Sequence, residues 1–533
     1  MPGRLSERKV AMAKPTRKPQ PLILIRGFGG LNVEDEKKTT YQGFNDGTVY
    51  PQKRGENYIY EGFILRFLKS SWQYQDATNV VGYYGENVGT TAPPIPAELK
   101  ALDSGFFSQG KVIIDPAMAL HLIRTTNDPN RTLWVFRYYD LNDRNMVAYG
   151  AALLRLIDFV RALAKLKNPA QPEPMVNIIA HSMGGLLVRQ TIQQTIPNAK
   201  RTADDLINKV VTLGTPHQGI AFQVLKKWVG TEAQKEIEHF NPETQKSPKN
   251  KTSFTKFGDC FPLDRLLTVV GTNYKSYDVG SASLGNRLFS VADEFGMNYN
   301  RSDGLVKQSY AQIPGAPRTF VHKCHGGFDS LVTARESFEI ATRFFFGNVK
   351  VRLRLVEGEV LRGMDMFGKS EFFFGVSIKP RGVDFELFHQ GADSENCYGP
   401  FTKTSLTDPT VEFGWAGPDR LIWEGYLNTT PILEDASISK KDMVMRLDFY
   451  VGERDLFGVG FSDNVIFRKQ YYVRGLLLPP YTMFIHDGEQ FAAPGYVDDP
   501  KTLMTKVAKG WEFDVTGTGF KGRFRIEIDQ IPE

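Results

Sequence analysis

The stretch Val176-Asn-Ile-Ile-Ala-His-Ser182-Met-Gly-Gly185 decides how this chain of 533 residues is read. Val176 to Ala180 is an apolar run with the length of a buried strand. Gly185-Leu-Leu-Val-Arg-Gln190 opens a helical pattern directly after it. Ser182 therefore occupies a sharp strand-to-helix turn, with the small residues Ala180 and Gly184 two positions to either side. Such a turn lifts a serine hydroxyl clear of the sheet, and small neighbours are needed because the strand and helix backbones come close. An ordinary strand–helix junction can present the same five residues. The meaning of the turn therefore rests on what accompanies it.

Length sets the first bound. A chain of 533 residues exceeds one ordinary core, so two or three domains are expected. Its composition (41% hydrophobic, 12% aromatic, 23% charged) is that of a globular protein, and a net charge of +5 is too small to indicate nucleic acid as a partner. Much of the basic excess lies in residues 1–20 (Arg4, Arg8, Lys9, Lys14, Arg17, Lys18), read as a disordered, solvated arm. That arm lacks the apolar core of a secretory signal, and no stretch has the ~18–20 uninterrupted apolar residues of a membrane span. The expected location is therefore cytoplasmic. Three cysteines, Cys260, Cys324 and Cys397, do not make a disulfide framework. No CxxC or HExxH pattern occurs, and neither a cofactor nor a metal site is expected.

Strand and helix patterns alternate from 21 to 346, as in a parallel α/β sheet. Strands are expected at Pro21–Ile25, Thr132–Phe136, Val176–Ala180, Lys209–Leu213, Asn286–Ala292 and Arg318–His322. Helices are expected over Tyr60–Tyr74, Asn145–Lys167 and Ser330–Phe346. Residues 220–280 are polar and lysine-rich and read as an excursion from the core. The apolar face of Phe222, Val224, Leu225, Trp228 and Val229 makes that excursion a candidate lid, and a surface helix packed on the core explains the face equally well. From 347 to 533 the pattern changes to period two. Val351, Leu353 and Leu355 alternate with Arg352 and Arg354, and similar alternation recurs at 371–378, 419–426, 444–451, 464–473 and 522–528. This is an antiparallel, sandwich-like β domain.

A serine hydroxyl is a weak nucleophile near neutral pH. It needs a histidine to take its proton and a carboxylate to orient that histidine. On a sheet of this kind the order along the chain is serine, acid, histidine, each in a loop after a strand. Asp303, in Ser302-Asp-Gly-Leu-Val306, is the candidate acid, with Asp293 and Glu294 as rivals. His325, in Cys324-His-Gly-Gly327, is the candidate base, with His322 as the rival inside a strand pattern. Two backbone N–H donors should face the oxyanion. They are expected from Met183, which follows the serine, and from Phe28 in Arg26-Gly-Phe-Gly-Gly30.

With Leu213-Gly-Thr-Pro-His-Gln-Gly219 added, these pieces resemble the lipase and esterase branch of α/β-hydrolases, including bacterial lipases and the GPI inositol-deacylase-like group. The resemblance covers residues 21–346 in the family's order and does not extend over 347–533. Arg26 stands where that family usually has histidine, and Ala180 where it usually has glycine. The resemblance implies an α/β-hydrolase fold and an acyl-enzyme on Ser182, His325 and Asp303, with His217 structural. Its substrate would be a carboxylic ester of lipid-like or small kind. A thioesterase, amidase or acyltransferase would use the same residues, and a catalytically silent binding protein is the alternative of another class. Residues 347–533 are a candidate peripheral membrane contact or a structural cover. Asp455 and Asp463 are weak candidates for calcium, since scattered aspartates usually lie on solvated loops.

Overall fold

The computed structural model describes residues 16–27, 61–78, 80–81, 94–102, 104–107, 114–136, 138, 145–219, 237–241, 254, 256–274, 301–326, 329–361, 371–403, 420–429, 442–454, 464–477, 480–492 and 496–531. The first half is organised by a sheet of seven strands: β1 (Leu22–Ile25), β2 (Gln75–Asp76), β3 (Thr132–Phe136), β4 (Val176–His181), β5 (Ile207–Leu213), β6 (Leu266–Gly271) and β7 (Arg318–Val321). Their order is β2-β3-β1-β4-β5-β6-β7, and every pair is parallel. Strands buried on both faces read as continuous apolar runs, and β1, β3 and β4 are buried at every residue. Among the helices that accompany the sheet are α1 (Glu61–Lys69), α2 (Pro116–Thr125), α3 (Met146–Lys167), α4 (Met183–Gln190) and α5 (Arg335–Phe346). The caps explain where two of them begin. Asp115 Oδ1 accepts from Ala117 and Met118 N–H, and Asn145 Oδ1 accepts from Ala148 N–H. Among the described residues no helix is long and apolar enough to cross a membrane.

The helix expected over 60–74 stops at Lys69, because Gln73 takes a φ of 50° and Tyr74 N–H turns back to Phe67 O. The closing helix starts at Arg335 rather than 330, because Ala334 is extended and a Ser330–Thr333 turn precedes it. Part of the expected 220–280 excursion belongs to the core instead. Leu266–Gly271 is the buried strand β6, between β5 and β7, and Phe254, Phe257 and Phe261 join the main core cluster. The apolar face at 222–229 and the strand expected at 286–292 lie outside the described residues.

After α5 come β8 (Val349–Val360), β9 (Glu371–Pro380), β10 (Tyr398–Phe401), β11 (Leu421–Leu427), β12 (Asp442–Arg454), β13 (Asn464–Leu476), β14 (Thr482–His486), β15 (Thr505–Val507), β16 (Gly510–Thr516) and β17 (Phe520–Gln530). They form two antiparallel five-stranded sheets, ordered β10-β9-β12-β13-β14 and β11-β8-β17-β16-β15. The inner faces meet through aromatic rings: Phe524 lies 5.7 Å from Phe374 and 4.6 Å from Phe449, centroid to centroid. The other face of β8 is charged, with Arg352 against Glu424 and Asp529 and Arg354 against Glu527. Period-two alternation thus puts an apolar face inward and ion pairs outward.

The halves are joined along an edge. β7 ends the parallel sheet, and the segment after β9 runs beside it: His389 N–H donates to Phe320 O and Thr319 Oγ1 donates to Leu387 O. Val270, Val306 and Phe320 share one apolar cluster with the sandwich. On another side Lys209 of β5 donates to Phe344 O and Phe345 O at the end of α5, which supplies the last carbonyls of that helix with a donor. Burial lowers Lys209 to about 7.

The turn after β5 is fixed from inside. His217 Nε2 lies 2.9 Å from Thr212 Oγ1, and the buried Arg189 guanidinium donates to His217 O and Phe254 O. Burial, and then Arg189, holds His217 well below the usual histidine range, so it stays neutral in the fold. Burial does the same to His181, with the charge of His325 adding to it. The unfolded chain takes up a proton on each histidine below pH ~6.5, and the folded chain does not. Stability is therefore full above that pH and falls as the solution is acidified, by up to ~1.4 kcal/mol per pH unit for each histidine. Urea unfolding followed by tryptophan fluorescence at pH 7.5 and pH 5.5 should show this loss, and His217→Gln should reduce it.

Candidate active site

Ser182 is built by backbone strain. It lies between β4 and α4 with φ 52° and ψ −127°, a region that L residues rarely adopt. Its N–H donates to Leu213 O of β5, which holds the turn against the sheet. Two glycines make room. A Cβ on Gly184 would lie 2.6 Å from Arg26 O and 2.9 Å from Ile25 O. A Cβ on Gly27 would lie 2.7 Å from Ser182 Cβ and 3.3 Å from its Oγ. The loop after β1 therefore passes directly against the serine. Ala180 is fully buried and fits beside β1 and β5 without a glycine.

The structure brings Ser182, His325 and Asp303 into one line. His325 Nε2 lies 2.9 Å from Ser182 Oγ, and His325 Nδ1 lies 2.8 Å from Asp303 Oδ2. Asp303 and His325 are 1% and 3% exposed, so water does not compete for their contact. The aspartate is itself held: Asp303 Oδ1 accepts from Leu305 N–H at 3.0 Å and Val306 N–H at 2.7 Å, and Asp303 O accepts from His325 N–H at 2.9 Å. Each of these residues follows the C-terminal end of a parallel strand, or lies in the long connection between β6 and β7. That is where open α/β sheets gather their sites.

His181 is a further member that sequence reasoning did not single out. Its Nε2 lies 2.9 Å from His325 O, and the two rings are 4.8 Å apart. A carbonyl only accepts, so Nε2 carries the hydrogen and His181 pins the backbone of His325. Its place inside the strand before the serine gave no hint of this, because a buried histidine at a strand end is commonplace.

Met183 begins α4, and the first turn of a helix presents N–H groups without intrahelical acceptors. Phe28 lies outside the described residues, and Gly27 is the last described residue of its loop. Arg26 folds back so that its Nε donates to Gly27 O at 3.3 Å, while Tyr138 OH donates to Arg26 O. The rival carboxylates Asp293 and Glu294 also lie outside the described residues. The rival His322 engages Ser394 and Asp393 through its two ring nitrogens. Beside the base, burial and then Asp303 push the Cys324 thiol up to about 12, and its Sγ donates to Gly326 O and Asp329 O. It therefore shapes the loop as an unreactive thiol.

Comparison with known proteins agrees with this frame. Residues 109–273 match the family described as PGAP1-like alpha/beta domain. A GPI inositol-deacylase from Xenopus laevis is 29% identical over 140 residues, which are 25% of this chain and 14% of that protein. A GPI inositol-deacylase from Rattus norvegicus is 40% identical over 83 residues, 15% of this chain and 8% of that protein. The chain thus spans a small part of the length of these curated relatives. Among solved structures, a lipase from Bacillus licheniformis covers 63% of this chain and 95% of its own, with 13% identity and a TM-score of 0.32. A phospholipase from Legionella pneumophila covers 62% of this chain and 83% of its own, with 10% identity and a TM-score of 0.27. The seven-stranded parallel sheet and the serine turn give the first half of this chain an α/β-hydrolase fold, part of which matches the PGAP1-like domain, and an antiparallel β-rich half follows it.

Proposed function

We propose that this protein is a serine hydrolase that cleaves carboxylic esters of lipid-like substrates. The observation that carries the reading is the unbroken line Ser182 Oγ to His325 Nε2, then His325 Nδ1 to Asp303 Oδ2, at 2.9 and 2.8 Å. Ser182 Oγ attacks the ester carbonyl while His325 Nε2 takes its proton. Asp303 fixes the tautomer of the ring and stabilises the imidazolium that forms. Met183 N–H and a second N–H at Phe28 receive the oxyanion. His325 then gives its proton to the leaving alcohol, and water, deprotonated in turn by His325, releases the acid and restores the serine. The lipid-like substrate rests on the name of the sequence relatives, GPI inositol-deacylase.

Turnover of a p-nitrophenyl acyl ester series tests the reading. Ser182→Ala should lower kcat by ~10⁴-fold or more. Asp303→Asn, which keeps the shape but favours the wrong tautomer, should lower it by ~10⁴-fold with a smaller change in KM. Full turnover by Ser182→Ala would end the proposal. A preference for long over short acyl chains supports a lipid-like substrate, and a preference for acetate points to small esters.

The same reading gives the C-terminal half a peripheral contact with a lipid surface, supported by the exposed apolar side chains Val465, Val497 and Leu503. The full chain should then sediment with phospholipid vesicles. Retention in the supernatant, with and without calcium, removes that contact.

A further inference from the structure

Three side chains that the hydrolase chemistry does not use converge at the seam between the two halves. His322 follows β7 in the first half. His389 and Asp393 belong to the segment after β9 in the second. His322 Nε2 lies 3.5 Å from Asp393 Oδ2, and His389 Nε2 lies 3.6 Å from Asp393 Oδ1. One ligand atom from each of the three falls within 4.8 Å of the others.

The histidines are oriented by their other nitrogens. His322 Nδ1 is 2.7 Å from Ser394 Oγ and 3.3 Å from Thr272 Oγ1, and His389 Nδ1 is 3.5 Å from Ser377 Oγ. A hydroxyl on Nδ1 fixes the ring and leaves Nε2 as the ligand atom, the usual arrangement behind a metal-bound imidazole. His389 Nε2 is shielded from water and makes no hydrogen bond, and the group that faces it is the Asp393 carboxylate at 3.6 Å, so a buried nitrogen is left with a long, unsaturated contact at the common space. A glycine lets both groups close on the backbone there: a Cβ on Gly391 would come 2.5 Å from Asp393 Oδ1 and 3.3 Å from His389 Nε2.

We propose that His322, His389 and Asp393 bind a zinc-type divalent transition-metal ion that ties the sandwich to the hydrolase domain. Zinc bonds of ~2.0–2.2 Å in a tetrahedron set neighbouring ligand atoms ~3.3–3.6 Å apart; each imidazole lies at that spacing from one oxygen of the carboxylate, His322 from Oδ2 and His389 from Oδ1, and the one-atom-per-residue set, within 4.8 Å, draws together by a small side-chain rotation when the ion binds. Two imidazoles and one carboxylate suit zinc and its first-row neighbours, whereas calcium and magnesium take oxygen ligands. Asp393 is 58% exposed, so the fourth position faces solvent and takes water. The site lies on the segment that leads from β7 to His325, three residues on. Metal binding would therefore brace the loop that carries the base, without entering the acyl-transfer chemistry.

The test uses the full chain, stripped with a chelator and titrated with Zn²⁺ against a chromogenic competitor. One equivalent should bind, and Co²⁺ in its place should give the visible absorption of a four-coordinate ion. His389→Gln and Asp393→Asn should each weaken binding by ~10–100-fold or more. Zn²⁺ should raise the Tm of the parent chain and leave that of the variants unchanged. Asp393→Asn alters an exposed side chain, so it decides the matter even if His389→Gln does not fold. Absence of binding below ~100 μM, or binding that Asp393→Asn leaves intact, overturns the proposal.

Discussion

The strained turn at Ser182 is the constraint on which the rest of the site depends. A serine with φ 52° costs on the order of 1–3 kcal/mol, and that conformation persists because the surrounding structure leaves no alternative. Leu213 O of β5 takes its N–H, the backbone of β1 closes on Gly184, and Gly27 closes on the serine itself. These contacts require β1, β4 and β5 to lie side by side, which is the centre of the sheet order. The hydroxyl is aimed by the fold. His325 meets it from another loop, which Asp303 and His181 hold in place.

The second half of the chain is more than an appendage to that sheet. β7 is an edge strand, and an edge with unpaired N–H and C=O groups invites pairing with other chains. Here the segment around His389 covers it, Gln308 donates to Ser394 O, and Tyr274 OH donates to Glu395. The sandwich therefore buttresses the loops that carry Asp303 and His325. A change in the sandwich would reach the serine through them, with no contact to substrate.

Much of this was legible in the sequence, and the reasons differ by element. β1, β3, β4 and β5 are buried on both faces, so each is an apolar run that needs no partner to be recognised. Ser182, Asp303 and His325 were legible as a set because each follows a strand in a fixed order along the chain, and the structure places them in hydrogen-bond contact. β6 was missed although Leu266-Leu-Thr-Val-Val270 is apolar, because the polar, lysine-rich segment before it set the reading of the whole region. β16 was passed over although Trp511, Phe513 and Val515 alternate inward along it. The cluster of His322, His389 and Asp393 has no sequence spacing to find: its members come from different halves of the chain and meet only when β7 is covered. His181 was hidden for another reason, since its partner is a backbone carbonyl that no pattern of residue types reveals.

Ser182 is the proposed nucleophile. Labelling of the full chain with a fluorophosphonate, followed by peptide mass spectrometry, tests it most directly. One stoichiometric adduct is expected, on Ser182, formed quickly by the native chain and lost when His325 is replaced by glutamine. A native chain that stays unlabelled, or an adduct on a different serine, would contradict it.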